Sequence, residues 1–597
     1  MINDSGRSVS VWMQTAELPV RPPLRSDVDA DVCVVGGGIA GVSTAYMLAR
    51  KGMRVVVLDD GAVGGGATCR TTAQLASALD DRLYLLERRL GERRARLAAQ
   101  SHVAAIDMIE SIVQREGIDC EWRRVDGYLF LPAEHALEGA DLIEREIKAA
   151  KRAGLSVTRA ARAPIKRYDT GLCLRFRRQA QMHPLKYLGG LALALESAGG
   201  RIYENTKAVK IRGGADARVE TADGHTVRAD AIVVATNTPV NDWVRVHTKQ
   251  AAYRTYVLGL RVERGAVPYA LYWDGCWTNE DASYHYVRLT PGPSGAEFGE
   301  GPEPRYDVLL VGGEDHKTGQ ADDYEARFAR LEAWARVVFP EAKGVLYRWS
   351  GQVIEPADGI AFIGRNTMDA ENMYIATGDS GQGMTHGMIA GMLLTDLIRG
   401  KENPWTDLYD PGRSVASGAG TYWSENLNVA KQYAGWFSGG DVDSVEKIAP
   451  GSGAVMRRGL RKVAVYRGVD GSVTELSATC THLGCIVRWN DAEKSWDCPC
   501  HGSRYDPQGR VINGPAIKAL KVEKEGRRGG RPGEEAERGR DRVGQGRRPG
   551  VDERPVGAGE RAGQVESLIR EEPPGRRADA GGVGGVANEP RRERGEK

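Results

Sequence analysis

Two short Cys/His clusters near residue 490 constrain this chain more than any other feature. The first reads Cys480-Thr481-His482-Leu483-Gly484-Cys485 and the second Cys498-Pro499-Cys500-His501-Gly502-Ser503. Each puts thiols and one imidazole on a tight turn, and fifteen residues separate His482 from Cys498. Two sulfur and two nitrogen donors suit a [2Fe–2S] cluster with both histidines on one iron; structural zinc is the other occupant of such a set. Gly484 and Gly502 let backbone N–H groups approach bridging sulfides, and Ser503 and Tyr505 offer hydroxyls to sulfur. Both features favour iron. A cluster of this kind passes single electrons and has no substrate chemistry, so another part of the chain has to supply or receive them.

The stretch from about Val442 to Val522 resembles a Rieske ferredoxin domain of the high-potential type found in respiratory cytochrome complexes. That resemblance implies a small all-β domain with Cys480, His482, Cys498 and His501 as ligands. It also implies a disulfide between Cys485 and Cys500 that clamps the two loops, and histidines near the surface.

The second strong feature lies near the N-terminus. Asp31-Val32-Cys33-Val34-Val35 is an apolar run suited to a buried parallel strand. Gly36, Gly38 and Gly41 follow in G-x-G-x-x-G spacing; Val42 to Lys51 reads as a helix and Arg54 to Leu58 as a second strand ending at Asp59. The glycines permit a tight turn and close approach of a pyrophosphate to a helix N-terminus, and the carboxylate suits a ribose hydroxyl. A dinucleotide is expected, FAD or NAD on this unit alone.

Three further segments resemble flavoproteins of the glycine oxidase and D-amino-acid oxidase type and favour FAD. Gly64 to Ala73 resembles the segment that wraps the flavin, with Thr68, Arg70, Thr71, Thr72 and Ala73 implied at the cofactor. Ala231 to Asn237 resembles the late strand ending beside it. Gly378-Asp379-Ser380-Gly381-Gln382-Gly383-Met384-Thr385-His386-Gly387 follows a strand at Met373 to Thr377 and opens a helical stretch to Arg399. In that family the turn sits by the flavin's carbonyl edge, which places Gly378, Gly381, Gln382, Gly383 and Met384 at the cofactor and makes His386 the catalytic candidate. Cys69 reads as a packed thiol, with a covalent flavin link as the alternative. Arg254, Tyr256, His285, Tyr286, His316 and Lys317 are further pocket candidates, each with an ordinary structural role as the competing reading. Trp349-Ser350-Gly351-Gln352 either lines the pocket floor or closes the sheet.

The expected architecture is therefore an α/β FAD-binding fold, Rossmann-like and of D-amino-acid oxidase type, with an α+β substrate domain and a small all-β Rieske domain. Residues 1–29 form an N-terminal arm and 30–400 the flavin domain, with substrate-binding parts at about 111–180 and 246–349. A linker spans 401–441, the Rieske domain 442–522, and a disordered or frameshifted tail 523–597, where Arg, Gly, Glu and Pro dominate and no aromatic residue follows Tyr505. A net charge of +2 over 597 residues gives no bulk attraction to nucleic acid. No apolar run approaches the twenty residues of a transmembrane segment. A cytoplasmic location is expected, in tension with a disulfide.

These parts imply an FAD-dependent dehydrogenase acting on a small amine or amino-acid-like substrate. Electrons would leave one at a time through the cluster to an external acceptor: a ferredoxin, a cytochrome or a quinone-linked protein. The alternatives are an NAD(P)H-dependent flavin/Rieske reductase and a redox sensor with little turnover.

Overall fold

The computed structural model describes residues 6–131, 139–241, 246–275, 284–293, 303–367, 369–415 and 418–523. The tail beyond residue 523 and Cys276 lie outside the described residues. The elements that position the site are, in chain order, β1 (Val28–Val35), α1 (Ile39–Ala49), β2 (Val55–Leu58), β3 (Thr226–Val234), β4 (Gln250–Glu263), β5 (Tyr306–Lys317), β6 (Val345–Pro356), β7 (Met373–Thr377), α2 (Gly383–Ile398) and α3 (Ala419–Gln432).

The first sheet has eight strands, with β1 between β2 and β3, and β7 beyond β3; these four run parallel. The unbroken apolar run of β1 is explained by its two buried faces. Val32 and Val34 enter the largest core, while Cys33 and Val35 enter another on the opposite side. The strand expected at Met373 to Thr377 is β7, and the helix expected after it is α2.

The second sheet has nine strands and roofs the first domain's ligand-binding end. Its long strand β4 lies between β5 and β6, antiparallel to both. The alternating segments at Tyr284 to Arg288 and Tyr306 to Val311 belong to this sheet, as strands His285–Pro291 and β5.

Two small antiparallel sheets form the C-terminal all-β domain. One has three strands (Ser452–Arg458, Arg461–Arg467, Val473–Ser477) and the other four (Arg488–Asn490, Ser495–Asp497, Arg504–Tyr505, Val511–Asn513). Trp496 and Tyr505, both 0 % exposed, anchor its core. The stretch before it, read as a linker, contains α3. Glycines at 418 and 420 hide this helix in the sequence, but from Thr421 to Gln432 there is neither Gly nor Pro to interrupt it. Trp12 of the N-terminal arm is fully buried and donates its indole N–H to Thr71 O at 2.6 Å.

Candidate active site and metal centre

The loop from β1 to α1 lines one end of a cavity of ≈ 580 Å³. Gly36 has φ +111°, and a Cβ on Gly41 would stand 1.9 Å from Gly36 O, so only glycine lets the turn close there. Asp59 accepts hydrogen bonds from Gly37 N (2.5 Å) and Gly61 N (2.9 Å), which fixes its carboxylate beside the turn. The N-caps of α1 and α2, Gly38 and Gln382, make no side-chain capping bond, and both helix starts border the cavity. Thr68 Oγ1 accepts from Ile39 N at 3.1 Å at the start of α1; two helix N-termini facing one cavity still fit the pyrophosphate and the carbonyl edge of a flavin dinucleotide.

Of the cofactor residues expected from sequence, Gly36, Gly38, Asp59, Thr68, Arg70, Thr71, Thr72, Gly381, Gln382, Gly383 and Met384 border this cavity. Gly41, Ala73 and Gly378 stand behind the lining. Gly41 closes the turn, Ala73 O accepts from Arg288 at 2.7 Å, and Gly378 packs on Pro356 and Gln250. Cys69 is buried, with its sulfur on the carbonyls of Gly65 and Gly66 at 3.3 and 3.1 Å, outside the cavity lining.

His386 borders the cavity and is 5 % exposed. Its Nδ1–H donates to Asp379 O at 2.8 Å, which leaves Nε2 without a partner. Burial pushes its pKa down to about 4, so the ring is neutral at physiological pH. Tyr286 also lines the cavity, as do Gly351 and Gln352. Arg254, Tyr256, His285, His316 and Lys317 do not. Strand parity explains the difference. On β4, Thr255 and Val257 face the cavity while Arg254 and Tyr256 face away, where Tyr256 bonds His316 at 2.9 Å. His285 pairs with Asp274 at 2.9 Å and stacks on Trp334 at 4.0 Å.

Sequence reasoning missed the cavity's carboxylates. Asp80, Asp315 and Asp379 line it, and Glu355 lies close by, bonded by Ser380 at 2.7 Å. Burial pushes Asp315 up to about 7 and Asp80 and Asp379 up to about 6. Tyr284 is pushed well up by burial and then by Asp80 and Asp315. No local motif marks these acids; the fold gathers them from separate segments.

The metal centre lies in the small β-domain. Cys480 and Cys498 are buried, and Tyr505 Oη lies 3.2 Å from the Cys480 sulfur. The contact with Cys498, reinforced by Tyr505 and Ser503, lowers the Cys480 pKa and raises that of Cys498. The rings of His482 and His501 stand 5.2 Å apart, and the buried Nδ1 of His501 has no partner. Two sulfurs, two imidazoles and an orphaned ring nitrogen on adjoining loops fit the expected ligand set. Cys485 and Cys500 form the disulfide, with their Cα atoms 6.4 Å apart. The Cys498 sulfur is within 4.8 Å of both disulfide sulfurs, but those two, bonded to each other, offer no thiolate to a metal.

Of the two histidines expected near the surface, His482 is half-buried and His501 is buried. His501 is only 8 % exposed, because the flavin domain covers it. His247, in the turn leading into β4, places its ring 5.1 Å from His482 and 6.4 Å from His501. On the other side, Tyr433 Oη and Trp436 Nε1 donate to the carbonyls of Leu483 and Gly484 at 2.7 and 3.0 Å.

The second ligand loop also sits on the cavity wall. Gln352 Nε2 donates to Gly502 O at 3.0 Å, and Gln320 Nε2 donates to Pro499 O at 2.9 Å. A Cβ on Gly502 (φ +76°) would stand 2.3 Å from the Ala252 Cβ. Residues 510–514 of the same β-domain line the cavity itself.

A buried charge network fixes this docking. Glu493, with a side chain 1 % exposed, meets Arg70 at 3.3 Å, Arg254 at 3.7 Å and Ser350 Oγ at 2.5 Å. Arg504 pairs with Asp497 at 3.0 Å. The Arg70 side chain therefore serves the interface, although the residue borders the cavity.

Comparison with known proteins agrees with this geometry. The family described as FAD dependent oxidoreductase matches residues 31–397, and the Rieske [2Fe-2S] domain matches residues 439–524. The chain belongs to the FAD-dependent oxidoreductase family. It is 35 % identical over 513 residues to a putative Rieske 2Fe-2S iron-sulfur protein, YhfW, of Bacillus subtilis (strain 168), covering 85 % of this chain and 96 % of that one. It is 31 % identical over 398 residues to gamma-glutamylputrescine oxidoreductase of Escherichia coli (strain K12), covering 63 % and 85 %. The glycine oxidase of Geobacillus kaustophilus shares its fold, with a TM-score of 0.52 and 20 % identity over 65 % of this chain and 99 % of that one. This FAD-dependent oxidoreductase is thus an enzyme with two redox groups, FAD and a Rieske [2Fe–2S] cluster. Among the described residues, no helix is long and apolar enough to cross a membrane.

Proposed function

We propose that this FAD-dependent oxidoreductase is a dehydrogenase for a small amine or amino-acid-like substrate and that it delivers electrons singly, by way of its Rieske domain, to an external ferredoxin, cytochrome or quinone-linked protein. The substrate's C–N bond becomes an imine, losing a hydride from carbon and a proton from nitrogen, and two equivalents of a one-electron acceptor take the electron pair. When bound, FAD supplies the two-electron acceptor and the cluster the one-electron carrier. Cys480, His482, Cys498 and His501 are the proposed cluster ligands. The glycine turns, Asp59 and the starts of α1 and α2 are the proposed flavin cradle.

The observation that carries this reading is Gln352. It borders the flavin cavity and hydrogen-bonds Gly502 at 3.0 Å, one residue from His501. The wall between the two centres is therefore one hydrogen-bonded side chain thick at that point. The E. coli relative, by its name an oxidoreductase of an amine, supports the substrate class. The chain's own residues orient substrate, exclude water and hold the two domains in register. A cytoplasmic location belongs to the same reading and is tested by cell fractionation.

The test is anaerobic titration of the purified holoenzyme with amines, amino acids, NADH and NADPH. Flavin bleaching is followed optically and the reduced cluster by electron paramagnetic resonance. An amine or amino acid should bleach the flavin, and the cluster signal should grow with it. Prompt bleaching by NADH, or flavin reduction that never reaches the cluster, refutes the proposal.

A further inference from the structure

The cavity's substrate face is built for positive charge. Asp315 and Asp80 both line it and both raise the Tyr284 pKa, so the three groups share one neighbourhood. Glu355 acts on the same tyrosine. Thr255 Oγ1 bonds Tyr286 Oη at 2.5 Å, and the buried Oδ1 of Asp315 has no partner. Gln382 Nε2 donates to Ala78 O at 2.8 Å, leaving its buried Oε1 also unpartnered. These are acceptor atoms, and a buried acceptor without a donor is costly unless a ligand supplies one.

Arg82 beside Asp80 and Arg327 near Asp315 offset these acids only in part, since burial outweighs both, and neither arginine borders the cavity. Among the described lining residues the cations are Arg70, Lys207 and Arg510. The Arg70 guanidinium is engaged by Glu493, Ser8 and Ser350. Lys207 lies 3.9 Å from Asp60, by the second strand's end of the cavity. Arg510 is 77 % exposed and bound to Asp506 at 2.6 Å. Arg254, the remaining candidate for clamping a carboxylate, points to the opposite face of β4 and meets Glu493. Among the described lining residues, a substrate α-carboxylate would therefore meet buried acids and no guanidinium directed at it.

Resting on the amine-dehydrogenase reading, we propose that the substrate is a protonated amine without an α-carboxylate, its ammonium group held by the carboxylates of Asp315 and Asp80 beneath Tyr284 and Tyr286. An ammonium offers three donors to the unpartnered acceptors and neutralises their charge. Tyr284 and Tyr286, with ring centroids 5.7 Å apart, add aromatic faces suited to a cation.

The experiment measures binding separately from turnover. Anaerobic holoenzyme at pH 8 is titrated with butylamine, 1,4-diaminobutane and 2-aminobutyrate, and dissociation constants are read from the perturbed flavin spectrum. The two amines should bind at least ~10-fold tighter than the amino acid, and Asp315→Asn should weaken amine binding about 30-fold, the scale of one lost charge-assisted hydrogen bond. If D315N fails to retain FAD, Asp80→Asn supplies the same comparison. Equal or tighter binding of 2-aminobutyrate, or amine binding changed less than twofold in a flavin-loaded variant, overturns the proposal. Tight amine binding without bleaching would sink the dehydrogenase reading and leave this assignment standing. Bleaching by the amino acid alone would do the reverse.

Discussion

Replacing Glu493 by Gln tests whether the two redox domains are locked together or merely adjacent. In the intact interface Arg70, Arg254 and Arg504 contribute three positive charges, and Glu493 and Asp497 two negative ones. E493Q raises the buried imbalance from +1 to +2 without removing volume. Arg254 suffers most, because its Nε and Nη2 already lack hydrogen-bond partners. Breaking a buried pair from one side costs about 3–5 kcal/mol. Local opening is the appropriate readout, since a multidomain chain does not melt in one step. Amide exchange in 346–354 and 495–505 should accelerate about a hundredfold, which corresponds to ~3 kcal/mol. Adding Arg254→Met removes the stranded cation and should restore most of the protection. Less than fivefold acceleration in E493Q, or a double variant worse than either single one, would refute the reasoning. The pH dependence has a definite sign. Burial pushes the Glu493 carboxyl up, but Arg70 and Arg254 outweigh it and hold the group below the usual carboxylate range. Its contribution is thus present above the unfolded pKa of about 4.3 and lost as pH falls below it.

Three further outcomes follow from the same contacts. Tyr505 Oη accepts from Thr481 N at 3.1 Å and lies 3.2 Å from both the Cys480 sulfur and Thr481 Oγ1; Tyr505→Phe removes the hydroxyl from the sulfur and should lower the cluster's midpoint potential by about 40 mV, the equivalent of ~1 kcal/mol for one electron, in a redox titration. Gly502→Ala forces a Cβ against Ala252 and should favour undocking by at least ~1–2 kcal/mol from backbone strain alone, so freeze-quench spectra should show normal flavin reduction but slowed cluster reduction. Amine binding should tighten between pH 5.5 and 8 as Asp315, near 7, and Asp80, near 6, lose their protons. The stability sign is opposite: a raised carboxyl pKa makes the folded state bind the extra proton, so stability falls as pH rises from about 4 to 7. D315N should consequently gain thermal stability relative to wild type at pH 8 but not at pH 3.5.

The parts of the site that were legible in sequence are those encoded locally. The strand, glycine turn, helix and strand from Asp31 to Asp59 carry their own periodicity and turn chemistry, and the two Cys/His loops carry their own spacing. What was not legible depends on pairing across the sheet. Arg254 and His316 look like pocket residues from their type, but they lie opposite each other on the face of the sheet away from the cavity. Asp80 and Asp315 stand 235 positions apart, one in the loop before Leu83 and the other on β5, and only their common place in the cavity wall brings them together. His247 and Glu493 are single residues in unremarkable stretches, and their importance appears only when the Rieske domain lands on the flavin domain.

β4 gives both half-reactions a common partition. Its Thr255 and Val257 look onto the cavity, while Ala252 and Arg254 bear on the Rieske domain. Inserting one residue upstream of Arg254 would turn over the side chains that follow, put the Arg254 guanidinium among the acids that line the cavity and take it away from Glu493. Donor and conduit must therefore evolve as one unit, and a graft of either domain from a relative has to bring this strand with it.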